Sequence, residues 1–155
     1  MKRNIVTNAV VAIVFALALV SLVPSAHGQQ CSLALAAGKY GFTDSGTVVG
    51  IGPRAADALL TLDSAGNIGG PVTASLNGSV AHSTLSGTYT VNRDCTGSAS
   101  FSEFDQLGNL IITATVDFVW VDNMREILFI FTSATLANGT PLGTVINGTA
   151  RKLVP

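Results

Sequence analysis

The feature that most restricts the fold of this chain is a turn pattern that occurs twice. The segments 62–68 and 104–110 both have the order apolar-Asp-x-x-Gly-Asn-apolar. An aspartate at the start of a turn accepts hydrogen bonds from backbone amides, and a glycine at its end adopts the positive φ that the turn requires. Asn77-Gly78 is typical of a tighter hairpin of type I′. These turns predict successive β-hairpins.

The segments between the turns are short and rich in Thr, Val, Ile and aromatic residues, which is the composition of β-strands. In the segment 112–120, apolar side chains occupy alternate positions and share one face. We predict eight strands: Lys39–Val49, Ala55–Asp63, Ile68–Leu76, Ser79–Val91, Gly97–Asp105, Leu110–Val121, Ile127–Thr135 and Thr144–Leu153. The segment 32–37 is either one helical turn or an irregular lead-in.

Consecutive hairpins with no helix between them predict an antiparallel meander. Eight such strands favour an all-β, up-and-down barrel, because closure removes the unpaired edges of an open sheet. A two-sheet β-sandwich is the main alternative.

The N-terminus has the three parts of a signal peptide. Lys2 and Arg3 precede an apolar run over 5–23, and Ala26-His27-Gly28 supplies the small residues of a cleavage site. We predict a signal peptide over 1–28 and a single all-β domain over 29–155; an uncleaved membrane anchor is the alternative. The chain is therefore predicted to be secreted or periplasmic.

The charge of the domain excludes several classes of partner. Without Lys2 and Arg3, residues 29–155 hold six basic and nine acidic side chains, a net charge of −3, beside 26 serines and threonines. No basic patch or run of charge occurs. We therefore predict no nucleic-acid partner and, after signal cleavage, no membrane partner.

The domain contains two cysteines, Cys31 and Cys95. An oxidising compartment favours a disulfide between them. Two isolated cysteines with no histidine nearby make a poor metal site, and a redox pair is expected as Cys-x-x-Cys, which is absent.

Motifs for catalysis are missing from residues 29–155. His82 is the one histidine, and no Gly-x-Ser-x-Gly sequence occurs. Glu103, Asp105 and Asp117 fall on neighbouring strands, but solvated surface acids explain them better than a catalytic pair does. We predict no catalytic residue, no cofactor and no metal site.

Three segments together resemble a group of short, uncharacterised, exported bacterial proteins: Cys31-Ser32 with the segment 38–42, the Asp-x-x-Gly-Asn turn at 63–67, and the segment 87–97. The resemblance is clear to about Gly97 and looser to Arg151. It implies a small barrel loosely similar to calycin or allene-oxide-cyclase barrels. It implies no catalytic residues, because the group has no established activity.

Three hypotheses for the function remain. The first is a module that binds a small hydrophobic ligand, although the same aromatic side chains also suit a filled core. The second is a structural or surface-associated domain that self-associates through Leu128 and Ile130, since the strand 127–135 is apolar on both faces. The third is a cyclase or isomerase with a pocket that encloses Glu103 or Arg151. The predicted ligand-lining residues are Tyr40, Phe42, Tyr89, Phe118, Trp120, Phe129 and Phe131.

The disulfide hypothesis makes the first prediction. Replacing Cys31 or Cys95 with serine should lower the free energy of unfolding by about 2–4 kcal/mol in oxidising buffer, because the bond closes a long loop in the unfolded chain. The domain should still fold, since a chain of this length buries a substantial core. Thiol labelling of the native exported protein provides the direct check, and two reactive thiols would contradict the hypothesis.

Overall fold

Eight antiparallel strands, each hydrogen-bonded to its neighbours in chain order, form a closed barrel. The computed structural model describes residues 30–153, so the predicted signal peptide lies outside the described residues. One helical turn, α1 (Leu33–Ala36), precedes the barrel and confirms the helical alternative for this segment. The strands are β1 (Gly38–Val48), β2 (Gly52–Leu62), β3 (Asn67–Leu76), β4 (Ser79–Tyr89), β5 (Thr96–Phe104), β6 (Leu110–Val121), β7 (Glu126–Leu136) and β8 (Thr144–Lys152).

The barrel closes where β1 pairs with β8. Tyr40 lies opposite Lys152, and the ladder continues without interruption to the pair of Val48 with Thr144. The predicted up-and-down barrel is therefore confirmed, and the sandwich alternative is wrong. A sandwich would leave the first and last strands as edges, whereas pairing them satisfies the backbone groups on both.

The two Asp-x-x-Gly-Asn turns have the same hydrogen bonds. In the first, Oδ1 of Asp63 accepts from the amides of Ala65 and Asn67, and Oδ2 accepts from the side-chain amide of Asn67. Asp105 makes the equivalent three bonds in the second turn. Hydrogen bonds from the asparagine lower the pKa of both aspartates. The turn-forming role predicted for this motif is confirmed.

Strand alternation fills the barrel with apolar side chains. The predicted inward face of β6 is confirmed, because Ala114, Val116 and Trp120 are all buried. β7 also turns alternate residues inward, and Ile127 and Phe129 are buried there.

Three phenylalanines of this core lie opposite glycines on neighbouring strands. Phe101 pairs with Gly87, Phe118 with Gly97 and Phe129 with Gly148. A Cβ atom built at each glycine overlaps the side chain of its phenylalanine partner. In all three cases the nearest atom is a backbone carbonyl oxygen, and at Gly97 and Gly148 the phenylalanine ring follows. Glycine is therefore required at these positions by close backbone approach, and at Gly97 and Gly148 also by the space that the ring occupies.

One end of the barrel, the helix end, is covered by α1 and by the turns over 63–66, 90–95 and 122–125. The Tyr40 hydroxyl donates to the Ala36 carbonyl at 2.7 Å, and Lys152 Nζ donates to the Leu35 carbonyl at 2.9 Å. A disulfide joins Cys31 to Cys95, with their Cα atoms 5.1 Å apart. The predicted bond is therefore present, and it ties the segment before α1 to the turn between β4 and β5. The opposite end, the far end, carries the turns over 49–51, 77–78, 105–109 and 137–143.

Gly97→Ala tests the requirement for space opposite Phe118. We expect this change to lower the free energy of unfolding by about 1–3 kcal/mol, because the new methyl group overlaps both the Phe118 ring and the Thr90 carbonyl oxygen. Gly41→Ala is the matched control: its Cβ would make only an ordinary contact, 3.7 Å from Leu153 Cδ2. Urea unfolding of both variants measures the difference. Equal stability of the two would show that the ring does not depend on the glycine.

Candidate functional site

A cluster of charged side chains lies inside the barrel, on the far-end side of the aromatic core. Arg54 Nε and Nη2 donate to the two carboxylate oxygens of Asp44, each at 3.2 Å. Arg54 Nη2 also lies 3.6 Å from Glu103 Oε1, and Ser83 Oγ donates to Glu103 Oε2 at 3.1 Å. The Asp44 side chain is completely buried, and those of Glu103 and Arg54 are 7% and 12% exposed. We call these four residues the interior cluster.

Strand alternation places the interior cluster. Asp44 occupies an inward position of β1, two residues after Phe42, and Glu103 occupies an inward position of β5, two residues after Phe101. Arg54, on β2, forms an ion pair with Asp44 on the adjacent strand and reaches towards Glu103 on β5, three strands away around the barrel. The guanidinium therefore links neighbouring and distant parts of the wall through the interior.

The interior cluster holds two carboxylates and one guanidinium. Burial raises the pKa of Asp44, and the charge and hydrogen bonds of Arg54 oppose that shift. Because the bidentate contact with Asp44 uses two of the three guanidinium nitrogens, the positive charge is directed mainly at this carboxylate. With both acids ionised, the cluster has one negative charge in excess.

An apolar cavity of about 40 Å³ lies inside the barrel on the helix-end side of the interior cluster, and no residue of the cluster lines it. Three residues that line the cavity are each one inward position from a cluster residue on the same strand. The pairs are Phe42 with Asp44 on β1, Leu85 with Ser83 on β4, and Phe101 with Glu103 on β5. The full lining is Tyr40, Phe42, Leu60, Leu62, Ile68, Leu85, Tyr89, Ala99, Phe101, Val116, Phe118, Ile127, Phe129 and Ala150.

Five of the seven predicted ligand-lining aromatics line this cavity: Tyr40, Phe42, Tyr89, Phe118 and Phe129. The other two, Trp120 and Phe131, are buried in the core beside it.

The two tyrosines that line the cavity are neutral hydrogen-bond donors. Tyr89 donates to the Asp63 carbonyl at 2.6 Å, as Tyr40 does to Ala36. Burial raises the pKa of Tyr40, and it raises the pKa of Tyr89 to about 12. The cavity therefore contains no charge of its own.

Of the two residues predicted as buried polar groups, Glu103 is buried and Arg151 is not. The Arg151 side chain is 76% exposed and pairs with Glu126 on the outer face. The prediction for Arg151 is wrong because its neighbour Ala150 takes the inward position of β8, which turns residue 151 outward.

The outer face of β7 carries the residues predicted to support self-association. Leu128 and Ile130 are 42% and 53% exposed, beside Val119 of β6. Self-association through them stays a prediction that sedimentation velocity checks.

Sequence reasoning missed Asp44, Arg54 and Ser83. Strand alternation predicts an inward side chain for the first two. Asp44 lies an even number of residues from Tyr40 and Phe42 on β1, and Arg54 lies an even number of residues from Leu60 on β2.

The other candidate acids and the histidine lie elsewhere. Asp117 is exposed on the outer face of β6, and Asp105 is held in its turn. His82 is exposed, with Nδ1 3.1 Å from Thr73 Oγ1. Glu103, Asp105 and Asp117 therefore do not converge on one site.

Comparison with known proteins identifies structural neighbours of low sequence identity. No protein-family model matches the sequence, and no curated protein matches it. Among solved structures, a redesigned β-barrel matches with a TM-score of 0.48 and 14% identity, over 81% of this chain and 98% of the other. An S-type phycobiliprotein lyase from Guillardia theta matches with a TM-score of 0.45 and 11% identity, over 79% and 91% of the two chains.

Within residues 30–153, no helix is long and apolar enough to cross a membrane. The same residues contain no group of three or more His, Cys, Asp or Glu side chains arranged to hold a metal ion.

Arg54→Met tests the energetics of the interior cluster. We expect the free energy of unfolding at pH 7 to fall by about 3–5 kcal/mol, because two carboxylates lose their buried partner. Burial raises the pKa of Asp44 and so favours its protonated form in the folded state. The variant should therefore regain stability as the pH falls from 7 towards about 4. Urea unfolding at several pH values measures both effects.

Arg151→Met is the matched control for this experiment. It removes the same side chain from an exposed ion pair, and such pairs contribute little. The expected change is below about 0.5 kcal/mol at every pH. A similar loss in both variants would show that the interior cluster has no special energetic role.

Proposed function

We propose that this protein is an exported β-barrel that binds a small ligand in its interior, with the apolar part of the ligand in the cavity and a polar group at the interior cluster. The observation that carries the proposal is that cavity-lining residues and cluster residues occupy successive inward positions on β1, β4 and β5. Small-molecule sites combine apolar walls with a few converging polar groups in this way.

The stability of the barrel does not explain the interior cluster. Burying charged groups costs several kcal/mol per ion, and replacing a buried ion group by apolar side chains of similar volume often stabilises a protein. The remaining inward positions are mainly apolar, so Leu or Met would suit the positions of Asp44 and Arg54. A role in recognition supplies the reason for charges at these positions.

The size of the cavity limits the ligand. One buried water molecule needs roughly 10–15 Å³ of cavity volume. The cavity has a volume of about 40 Å³. It therefore accommodates about three non-hydrogen atoms, and fatty acids and retinoids exceed this space. The proposed ligand is a short aliphatic molecule, or a short aliphatic group of a larger one.

Trp120 provides a signal for binding. Its ring centroid lies 5.7 Å from that of Tyr40 and 5.9 Å from that of Phe118, and both of these side chains line the cavity. A molecule that enters the cavity is expected to change the packing around the indole and hence its fluorescence.

The experiment is a titration with short-chain alcohols and amines, observed by Trp120 fluorescence and calorimetry. We expect saturable binding that is lost in Ala150→Val, because the added methyl groups occupy the cavity that Ala150 lines. Ala55→Val makes the same change at an exposed position of β2 and should leave binding intact. Absence of binding to wild type, or equal binding to Ala150→Val and Ala55→Val, would contradict the proposal.

A further inference from the structure

The connections at the far end of the barrel expose aliphatic side chains. These four connections join β1 to β2, β3 to β4, β5 to β6 and β7 to β8. Each connection, or the first two residues of the strand that follows it, contributes at least one exposed Val, Leu or Ile. The most exposed of them are Val49, Ile51, Val80, Leu107 and Val145. We call these five residues the apolar rim.

Backbone hydrogen bonds hold the far-end connections together. Three such bonds join the four connections, or the strand residues directly beside them, in a series. They run from the amide of Asn77 to the carbonyl of Pro53, from the amide of Val49 to the carbonyl of Gly143, and from the amide of Ala137 to the carbonyl of Ile111, at 2.8, 2.8 and 3.1 Å respectively. The backbone therefore fixes the residues of the apolar rim around a single end of the barrel.

Charge is concentrated away from the apolar rim. Five of the six basic residues within 30–153 lie at or next to the helix end: Lys39, Arg93, Arg125, Arg151 and Lys152. The sixth, Arg54, belongs to the interior cluster. In the far-end turns that the structure describes, Asp105 is the one charged residue, and its carboxylate accepts three hydrogen bonds inside its own turn. A surface in contact with the rim therefore meets apolar and neutral polar groups.

The turn that holds Leu107 has a counterpart at the helix end. Asp63 and Asp105 begin turns with the same three hydrogen bonds. The third residue is Ala65 in the helix-end turn and Leu107 in the far-end turn. Because the same turn forms with alanine, its geometry does not require a leucine. Leu107 is also 88% exposed, so its side chain contributes little to the packing of this chain. Contact with an apolar surface outside the chain gives this side chain a role.

We propose that the apolar rim inserts into the surface of an uncharged lipid bilayer. Exposed apolar residues grouped on one part of a protein mark contacts with proteins or membranes. A fluid bilayer accepts side chains that protrude singly from four separate connections, whereas a protein partner needs a matching cavity for each of them. The lack of free charge in these turns favours neutral lipid as the partner, since no ionised group has to leave water.

This inference revises one expectation from the sequence and is independent of the proposed ligand. The predicted absence of a membrane partner rested on the lack of a basic patch, which governs attraction to anionic lipids. Burial of aliphatic side chains needs no charge on either surface. Because no residue of the apolar rim lines the cavity, binding to a bilayer does not depend on whether the barrel binds a ligand.

The experiment is co-sedimentation of the exported protein with vesicles of phosphatidylcholine, a lipid with no net charge. We expect the wild-type protein to sediment with the vesicles. Leu107→Ala should weaken binding about tenfold, because it removes three carbon atoms that enter the bilayer. Leu128→Ala removes the same atoms from an exposed position on the outer face of β7 and should leave the affinity within about twofold. Circular dichroism checks that both variants are folded.

Salt and lipid composition separate apolar insertion from electrostatic attraction. Raising the NaCl concentration from about 0.1 M to about 1 M shortens the Debye length from about 10 Å to about 3 Å. Binding of the wild-type protein to phosphatidylcholine vesicles should not weaken in the higher salt. Replacing about a third of the lipid with anionic phosphatidylglycerol should not strengthen binding more than about twofold.

Several results would overturn the proposal. Wild-type protein that stays in the supernatant shows that the rim does not insert, and equal affinities of Leu107→Ala and Leu128→Ala show that another surface makes the contact. Binding that requires phosphatidylglycerol and disappears in high salt assigns the contact to the basic residues of the helix end. A dimer that depends on Leu107 in sedimentation velocity, without vesicle binding, makes a second copy of this chain the partner of the rim. If a variant is unfolded, the salt and lipid comparisons of the wild-type protein decide the question.

Discussion

Hydrogen bonding between β1 and β8 closes the barrel, and every other property of the interior depends on that closure. Because the strands have no free edge, each inward side chain shares one enclosed space with inward side chains from the other seven strands. Eight strands enclose little more than the volume of their own side chains. The interior is accordingly tightly packed, and it contains a cavity of about 40 Å³.

Limited space explains the pairing of glycine with phenylalanine across neighbouring strands. Phe118 and Phe129 fit inside because Gly97 and Gly148 have no side chain at the facing positions. The same crowding makes the charges of the interior cluster costly, since no bulk water surrounds Asp44. The side chains of the cluster therefore satisfy one another: Arg54 pairs with Asp44 and Glu103, and Ser83 donates to Glu103.

The two ends of the barrel are closed by different means. At the helix end, α1 contacts the barrel through Tyr40 and Lys152, and the disulfide holds the segment before the helix. The turn between β6 and β7 at this end has positive φ at each residue from 122 to 124. A positive φ costs conformational free energy in residues other than glycine. Burial of the Met124 side chain in the core is favourable and offsets part of that cost. At the far end, the segment 137–143 turns back along β7, where the Leu142 amide donates to the Ala134 carbonyl.

The sequence by itself determined the strands, the turns and the pair of cysteines. These features are local: an Asp-x-x-Gly-Asn segment forms its own hydrogen bonds, and alternation within one strand reveals its apolar face. The same alternation separates Glu103 from Arg151, which are both charged residues near the end of a strand. Glu103 lies two residues after the buried Phe101 and points inward, whereas Arg151 directly follows the buried Ala150 and points outward.

Tertiary structure decided which residues meet in the interior. Asp44, Arg54 and Glu103 belong to β1, β2 and β5, and strand alternation alone places each of them on an inward face. Their contact depends on the register between strands and on the curvature that brings β2 and β5 together across the barrel. Register and curvature arise from closure of all eight strands, a property of the whole domain that no single segment of the sequence encodes.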